Sequence, residues 1–170
     1  MNHPNFNRPR QKVSAHTHFK RLGRELAMQY LYLHDMADGE EDAAAREMFW
    51  EQAAEAELTD DDRTFKKARM YAEKIVDGIL SHLAEIDETI ASFSEKWDIS
   101  RIAAVERNII RVAIYELKYC PDIPALVSID EAIEISKAFA TEKSGVFING
   151  ILNGVKDSLP PDAKLRPGSR

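Results

Sequence analysis

Apolar residues recur at intervals of three and four along most of the chain, the spacing of one buried helix face. Leu22, Leu26, Met28, Leu31 and Leu33, with Ala27 and Tyr30 between them, predict a first helix that Asp38-Gly39 ends. Residues 42–57 predict a second, with Met48, Phe49 and Ala53 inward. Thr59 ahead of Asp60, Asp61 and Asp62 is a start signal: the hydroxyl can cap, and the acids suit the positive end of the helix dipole. The third helix runs to about His82 with Phe65, Ala68, Ala72, Ile75, Val76 and Ile79 as its stripe. A fourth spans about Ala84 to Lys96 with Ile86, Ile90 and Phe93 inward.

The clearest periodicity follows. Asp98 or Ser100 caps a helix to about Tyr119, in which Ile102, Val105, Ile109, Val112, Ala113 and Leu117 fall on one side. Pro121 and Pro124 break it. Ser128-Ile129-Asp130-Glu131 reads as a capping box opening a sixth helix to about Phe139. Ser144 caps a seventh, with Phe147, Ile148, Ile151, Leu152 and Val155 inward, and Pro160-Pro161 stops it. No segment alternates with period two for long enough to require a strand. The pattern predicts an all-α domain of about seven helices over residues 18–159. A flexible basic tail, 1–17, precedes it, and a flexible tail, 160–170, follows.

Composition narrows the function classes. Hydrophobic residues make up 44% and charged residues 31% of 170, the balance of a packed globular chain. No stretch reaches the roughly 20 apolar residues of a membrane span, and the N-terminus lacks the apolar core of a signal peptide. The single cysteine, Cys120, excludes an internal disulfide and any zinc site built on cysteines. These features predict a cytoplasmic protein with no membrane partner. The net charge of −6 argues against polyanion binding only on average. Residues 1–24 hold Arg8, Arg10, Lys12, Lys20, Arg21 and Arg24 and no acid, so they carry +6. The remaining 146 residues carry −12, from 17 basic and 29 acidic side chains. Residues 38–62 alone hold 11 acids against Arg46. Such a basic arm on an acidic body can attract phosphate locally while other faces repel it; a solubilising tail would look the same.

Catalytic chemistry finds no foothold. The sequence has no Gly-rich phosphate loop, no histidine at metal-ligand spacing and no carboxylate pair set apart for acid–base work. Cys120 reads as a small buried thiol, and Trp50 and Trp97 as packing residues. The expectation is a protein without catalytic residues, metal or cofactor.

Three segments are more specific than their periodicity. They are Val105-Glu106-Arg107-Asn108-Ile109-Ile110-Arg111-Val112-Ala113-Ile114-Tyr115-Glu116-Leu117, the run from Asp122-Ile123-Pro124 through Ser128 to Lys137, and Phe147-Ile148-Asn149-Gly150-Ile151-Leu152. In this order and spacing they resemble the NusB family of bacterial transcription antitermination factors. Arg24-Glu25, followed by Ala27, Gln29, Leu31 and Tyr32, resembles that family's opening helix. The resemblance covers about residues 20–157, and over 38–100 it extends only to helical character.

The resemblance implies an all-α fold of two small packed helical bundles and a binding activity rather than a catalytic one. It implies single-stranded boxA RNA and the ribosomal protein NusE as partners, within an RNA polymerase antitermination complex that supports ribosomal RNA transcription. It leaves a homodimer open. It places Lys20, Arg21, Arg24, Gln29, Tyr32, Lys143, Phe147 and Asn149 at the RNA and Glu106 at the protein partner. Arg21 and Arg24, three apart, share a helix face and can offer guanidinium groups to phosphates or base edges. Tyr32 and Phe147 can stack bases or fill the core. Asn149 can meet a base edge or cap a turn. Gly150 is expected to permit close helix packing. Lys143 stands where many relatives carry Asp. Leu22 and Gly23 stand where the family often has Arg and Ala, which thins the cationic cluster, and Gly23 is expected to fray the helix. A protein-interaction module of the same fold without direct RNA binding is the alternative.

Overall fold

The structure is a computed structural model, and it describes residues 19–94 and 98–165. The expected tail 1–17 and the packing residue Trp97 lie outside them. Among the described residues seven α-helices follow in chain order: α1 Phe19–Met36, α2 Ala43–Glu55, α3 Asp62–Ser81, α4 Leu83–Phe93, α5 Ala104–Tyr119, α6 Ala125–Phe139 and α7 Glu142–Ser158. A 3₁₀ turn, Ile99–Arg101, precedes α5. No strand occurs among the described residues. The chain divides into two compact units at Asp77–Gly78, inside α3.

In the first unit, α1 is buried nearly all round. From Gly23 to Tyr32 every residue except Glu25 is buried, so the segment is core rather than an amphipathic surface helix. Gly23 explains how α3 comes so near. A Cβ placed there would lie 2.8 Å from Tyr71 Cδ1 and 3.0 Å from the Ala68 carbonyl oxygen. The expectation that Gly23 frays α1 is therefore corrected: it is the close-approach point of two helices. α2 presents Trp50 and Ala53 inward, while Met48 is 58% exposed, the reverse of the expected Met48 side. The start of α3 is held by Asp61, whose carboxylate accepts from the Arg63 amide at 2.9 Å and the Thr64 hydroxyl at 3.0 Å. These bonds, the Arg63 amide foremost, hold the Asp61 carboxyl below its ordinary range. Thr59, the expected cap, instead donates to the Asp61 carbonyl.

In the second unit, α5, α6 and α7 supply most of the core: Ile109, Ile110, Ile114, Leu117, Ile148 and Leu152 are fully or almost fully buried. Two close approaches set helix spacing. Gly78 leaves room for the Tyr115 ring, and Gly154, rather than Gly150, leaves room for Phe93. Gly150 has open space around its Cα, so the expected packing role is corrected. Asp98 caps the 3₁₀ turn, and α5 begins a few residues later. α6 starts at Ala125 behind Pro124, one turn before the expected Ser128 cap. Proline pre-sets the helical φ and lacks the N–H that a helix start leaves unpaired. α7 starts behind Thr141, with Ser144 as the reciprocal partner of a capping box rather than the cap itself.

Residues 160–165 are held to the end of α5. Lys164 Nζ donates to the carbonyls of Glu116 at 2.8 Å and Cys120 at 2.9 Å, and the Leu165 amide donates to Pro121. The cation thus satisfies carbonyls that the helix end leaves open. Burial lowers the Lys164 pKa.

Candidate nucleic-acid interface

The candidate residues fall into two groups, one in each unit. On α1, Lys20 and Arg21 are half-buried. Arg24 is 4%, Gln29 9% and Tyr32 7% exposed. These three do not share a free surface with Lys20 and Arg21. The continuous burial of α1 is the cause, and a period-based reading could not tell its faces apart. The helix start carries a cation–aromatic corner. Lys20 Nζ lies 5.7 Å and the Arg24 guanidinium 5.8 Å from the centre of the Tyr71 ring on α3. Phe19 meets Tyr71 edge to face at 6.3 Å, and Lys67 Nζ lies 5.8 Å from the Phe19 ring. Contacts of this kind fix the orientation of a cation without neutralising it. Tyr71 and Lys67 are not among the residues expected from the sequence, because the apolar stripe of α3 dominates its pattern. The signal is present in the basic positions between those apolar ones.

On α7, Lys143 and Asn149 are exposed and Phe147 is half-buried beside fully buried Ile148. Asn149 Oδ1 accepts from Asn153 Nδ2 at 2.8 Å, which orients the amide along the outer face of the helix. Val146, next to Phe147, is 78% exposed. Lys143, Phe147 and Asn149 therefore place a cation, a half-buried ring and an amide along the first half of one helix, with Asn149 about 160° around the axis from Phe147.

Glu106, in the first turn of α5, is half-buried, and its carboxylate accepts a hydrogen bond from the Ser144 hydroxyl. That bond ties α5 to the capped start of α7. A neighbouring network has no counterpart among the expected site residues. Arg111 reaches Asp87 through two bonds of 2.8 Å and donates to Asn108 Oδ1 at 3.0 Å, while Asn108 Nδ2 donates to the Ala104 carbonyl. Arg111 and Asn108 stand within the specific motif, and the network gives them a structural role.

Among the described residues, no group of three or more His, Cys, Asp or Glu is arranged to hold a metal ion. No described helix is long and apolar enough to cross a membrane. Cys120 is buried.

The family model described as the NusB family matches residues 21–157. The transcription antitermination protein NusB of Myxococcus xanthus is 42% identical over 140 residues, covering 82% of this chain and 96% of its own. That of Geobacter sulfurreducens is 44% identical over 141 residues, covering 83% and 96%. The chain is also similar to a solved structure of antitermination factors NusB and NusE in complex with dsRNA, with 27% identity and a TM-score of 0.66. That match covers 83% of this chain and 98% of that one.

Proposed function

The chain belongs to the NusB family, and from that premise we propose that it is a transcription antitermination factor that binds boxA RNA together with NusE. It acts within an RNA polymerase antitermination complex that supports ribosomal RNA transcription, in the cytoplasm and without enzymatic activity of its own. The observation that carries this reading is the family match over residues 21–157 on a chain whose first 24 residues concentrate +6 of charge. Polyanion binding draws its affinity from such local excess of cations, whatever the average charge.

We assign RNA contact to Lys20 and Arg21 on α1 and to Lys143, Phe147 and Asn149 on α7. Arg24, Gln29 and Tyr32 take the part of positioning α1, in keeping with their burial. Glu106 is assigned to the NusE side. The burial of those three α1 residues also favours a second reading, an interaction module that holds NusE without touching RNA.

A pull-down with NusE, with and without boxA RNA, tests both. In the first reading the chain retains NusE, and single-stranded boxA RNA strengthens the capture. Substituting Lys20 and Arg21 by Gln then removes the gain from RNA and leaves NusE bound. Capture of NusE that RNA never changes supports the second reading, and failure to capture either ligand removes both. A duplex RNA serves as a parallel probe, since the related complex contains one.

A further inference from the structure

The outward arc of α3 carries positive charge that its neighbours leave uncompensated. Lys66, Lys67 and Lys74 are exposed, and at 100° per residue they fall with Met70 inside an arc of about 100°. They span about 12 Å along the helix axis. The acids near them are engaged elsewhere. Glu73 pairs with Arg69 at 3.3 Å, and Asp77, on the same arc, pairs with Arg46 at 2.8 Å. Arg69 also reaches Glu47 at 3.5 Å and lies over the Trp50 ring. Among the described residues no carboxylate pairs with Lys66, Lys67 or Lys74. Thus Arg46 and Arg69 are held in ion pairs within the first unit, and the three lysines are not.

Two further observations separate this arc from an ordinary solvated helix face. Met70 sits among the lysines and is 72% exposed, an apolar side chain where a purely solubilising face would hold a polar one. The arc also adjoins the start of α1. Lys67 lies over Phe19, Lys20 lies over Tyr71, and at Gly23 the two helices come too close to admit a Cβ. On a chain whose residues 25–170 carry −12, this run of unpaired cations is a local exception.

We propose that Lys66, Lys67 and Lys74 continue the cationic start of α1 into a track for the RNA sugar–phosphate backbone, with Met70 packed against a base or ribose. The inference rests on the RNA-binding reading and adds a surface to it. Lysine suits this use: a mobile, strongly hydrated point charge follows a phosphate chain without reading sequence. The track therefore lengthens the RNA footprint and leaves recognition of boxA to other residues.

The test uses the full chain and two labelled single-stranded RNAs, boxA alone and boxA extended by uridines on both sides. Affinities are measured by anisotropy over a range of salt. The variant carries Lys66→Gln, Lys67→Gln and Lys74→Gln, exposed changes with nearly equal helix propensity. A matched control carries Arg101→Gln, Lys137→Gln and Lys156→Gln in the second unit. The α3 variant should bind the extended RNA about tenfold more weakly at low salt, with a log–log salt slope shallower by about 0.7 for each phosphate that is no longer neutralised. Its affinity for boxA alone should change much less, and the control should match the parent more closely than the α3 variant does. Equal losses of affinity in the α3 variant and the control overturn the proposal, because long-range charge would then suffice. So does an α3 variant with unchanged affinity for extended RNA while Lys20→Gln with Arg21→Gln weakens it. A parent chain that binds neither RNA overturns the RNA-binding reading itself.

Discussion

Two glycines of this chain do opposite things, although the sequence presents both as helix-interior residues. At Gly23 an added Cβ meets the Ala68 carbonyl oxygen at 3.0 Å and Tyr71 Cβ at 3.2 Å, and a backbone oxygen cannot swing away. Gly23→Ala should therefore lose about 1–3 kcal/mol of stability, the range for overpacking, despite alanine's better helix propensity. Gly150→Ala meets nothing within 4 Å and should gain up to about 1 kcal/mol. Chemical denaturation of the two variants checks the pair, and a stabilised Gly23→Ala protein would show that α1 and α3 are not in close contact there. Tyr30 gives a pH signature. Burial first, and then its 3.0 Å hydrogen bond to Glu41, push its pKa up to about 12. In the unfolded chain the same phenol ionises near 10. The unfolded state therefore loses its proton first, and the contribution of Tyr30 is intact below about pH 10 and is lost as pH rises toward 12. Tyr30→Phe should remove one phenol titrating near 12 from the tyrosinate absorbance curve and flatten the stability loss over that window. Removal of a phenol titrating near 10 instead would contradict the burial argument.

At the scale of elements, seven helices were legible because apolar residues recur at helical spacing, with three or more of them buried on every helix but α2 and α4. α5 and α7 were clearest, since Ile109, Val112, Ile148 and Leu152 sit where period 3.6 puts them. Helix starts were less legible. Thr59, Ser128 and Ser144 are all able to cap, yet Asp61, Pro124 and Thr141 stand at or immediately beside the starts, because several suitable residues lie within one turn of each other and tertiary packing selects among them. The candidate site was legible as motif and charge, but not as exposure. From Gly23 to Tyr32 every residue of α1 except Glu25 is buried, so nothing in its spacing marked Arg24, Gln29 and Tyr32 as inward. Nor did spacing show that Arg111, two-thirds of the way along the predicted fifth helix, would tie α4 to α5 through Asp87. Asp87→Ala removes the acceptor of two bonds from the nearly buried guanidinium, and stability should fall by about 1–3 kcal/mol. Thermal or urea unfolding reads this directly. The double change Arg111→Met with Asp87→Ala should recover part of the loss, because it removes the buried charge along with its acceptor, and a double variant no better than Asp87→Ala alone would mean that packing rather than charge sets the cost.

At the scale of the whole chain the governing feature is segregation of charge. Residues 1–24 carry +6 and the rest −12, so a polyanion is drawn to one end of the sequence and repelled by much of the remainder. Segregation also makes binding sensitive to ionic strength, because at 0.1 M salt charges act over only about 10 Å and distant acids cease to matter. Half of the +6 comes from Arg8, Arg10 and Lys12, ahead of the first described helix. If these three meet phosphates, their contribution appears as released counterions whatever conformation the segment takes. Deleting residues 1–17 should then make the log–log salt slope for single-stranded boxA RNA shallower by about 2, at about 0.7 for each of three contacts, and weaken binding most at low salt. Binding of NusE should be unchanged, since Glu106 and its bond to Ser144 lie outside the deleted segment. A truncated chain with the parent's slope and affinity would reduce the arm to a solubilising tail and leave the cations of α1, α3 and α7 to account for the attraction.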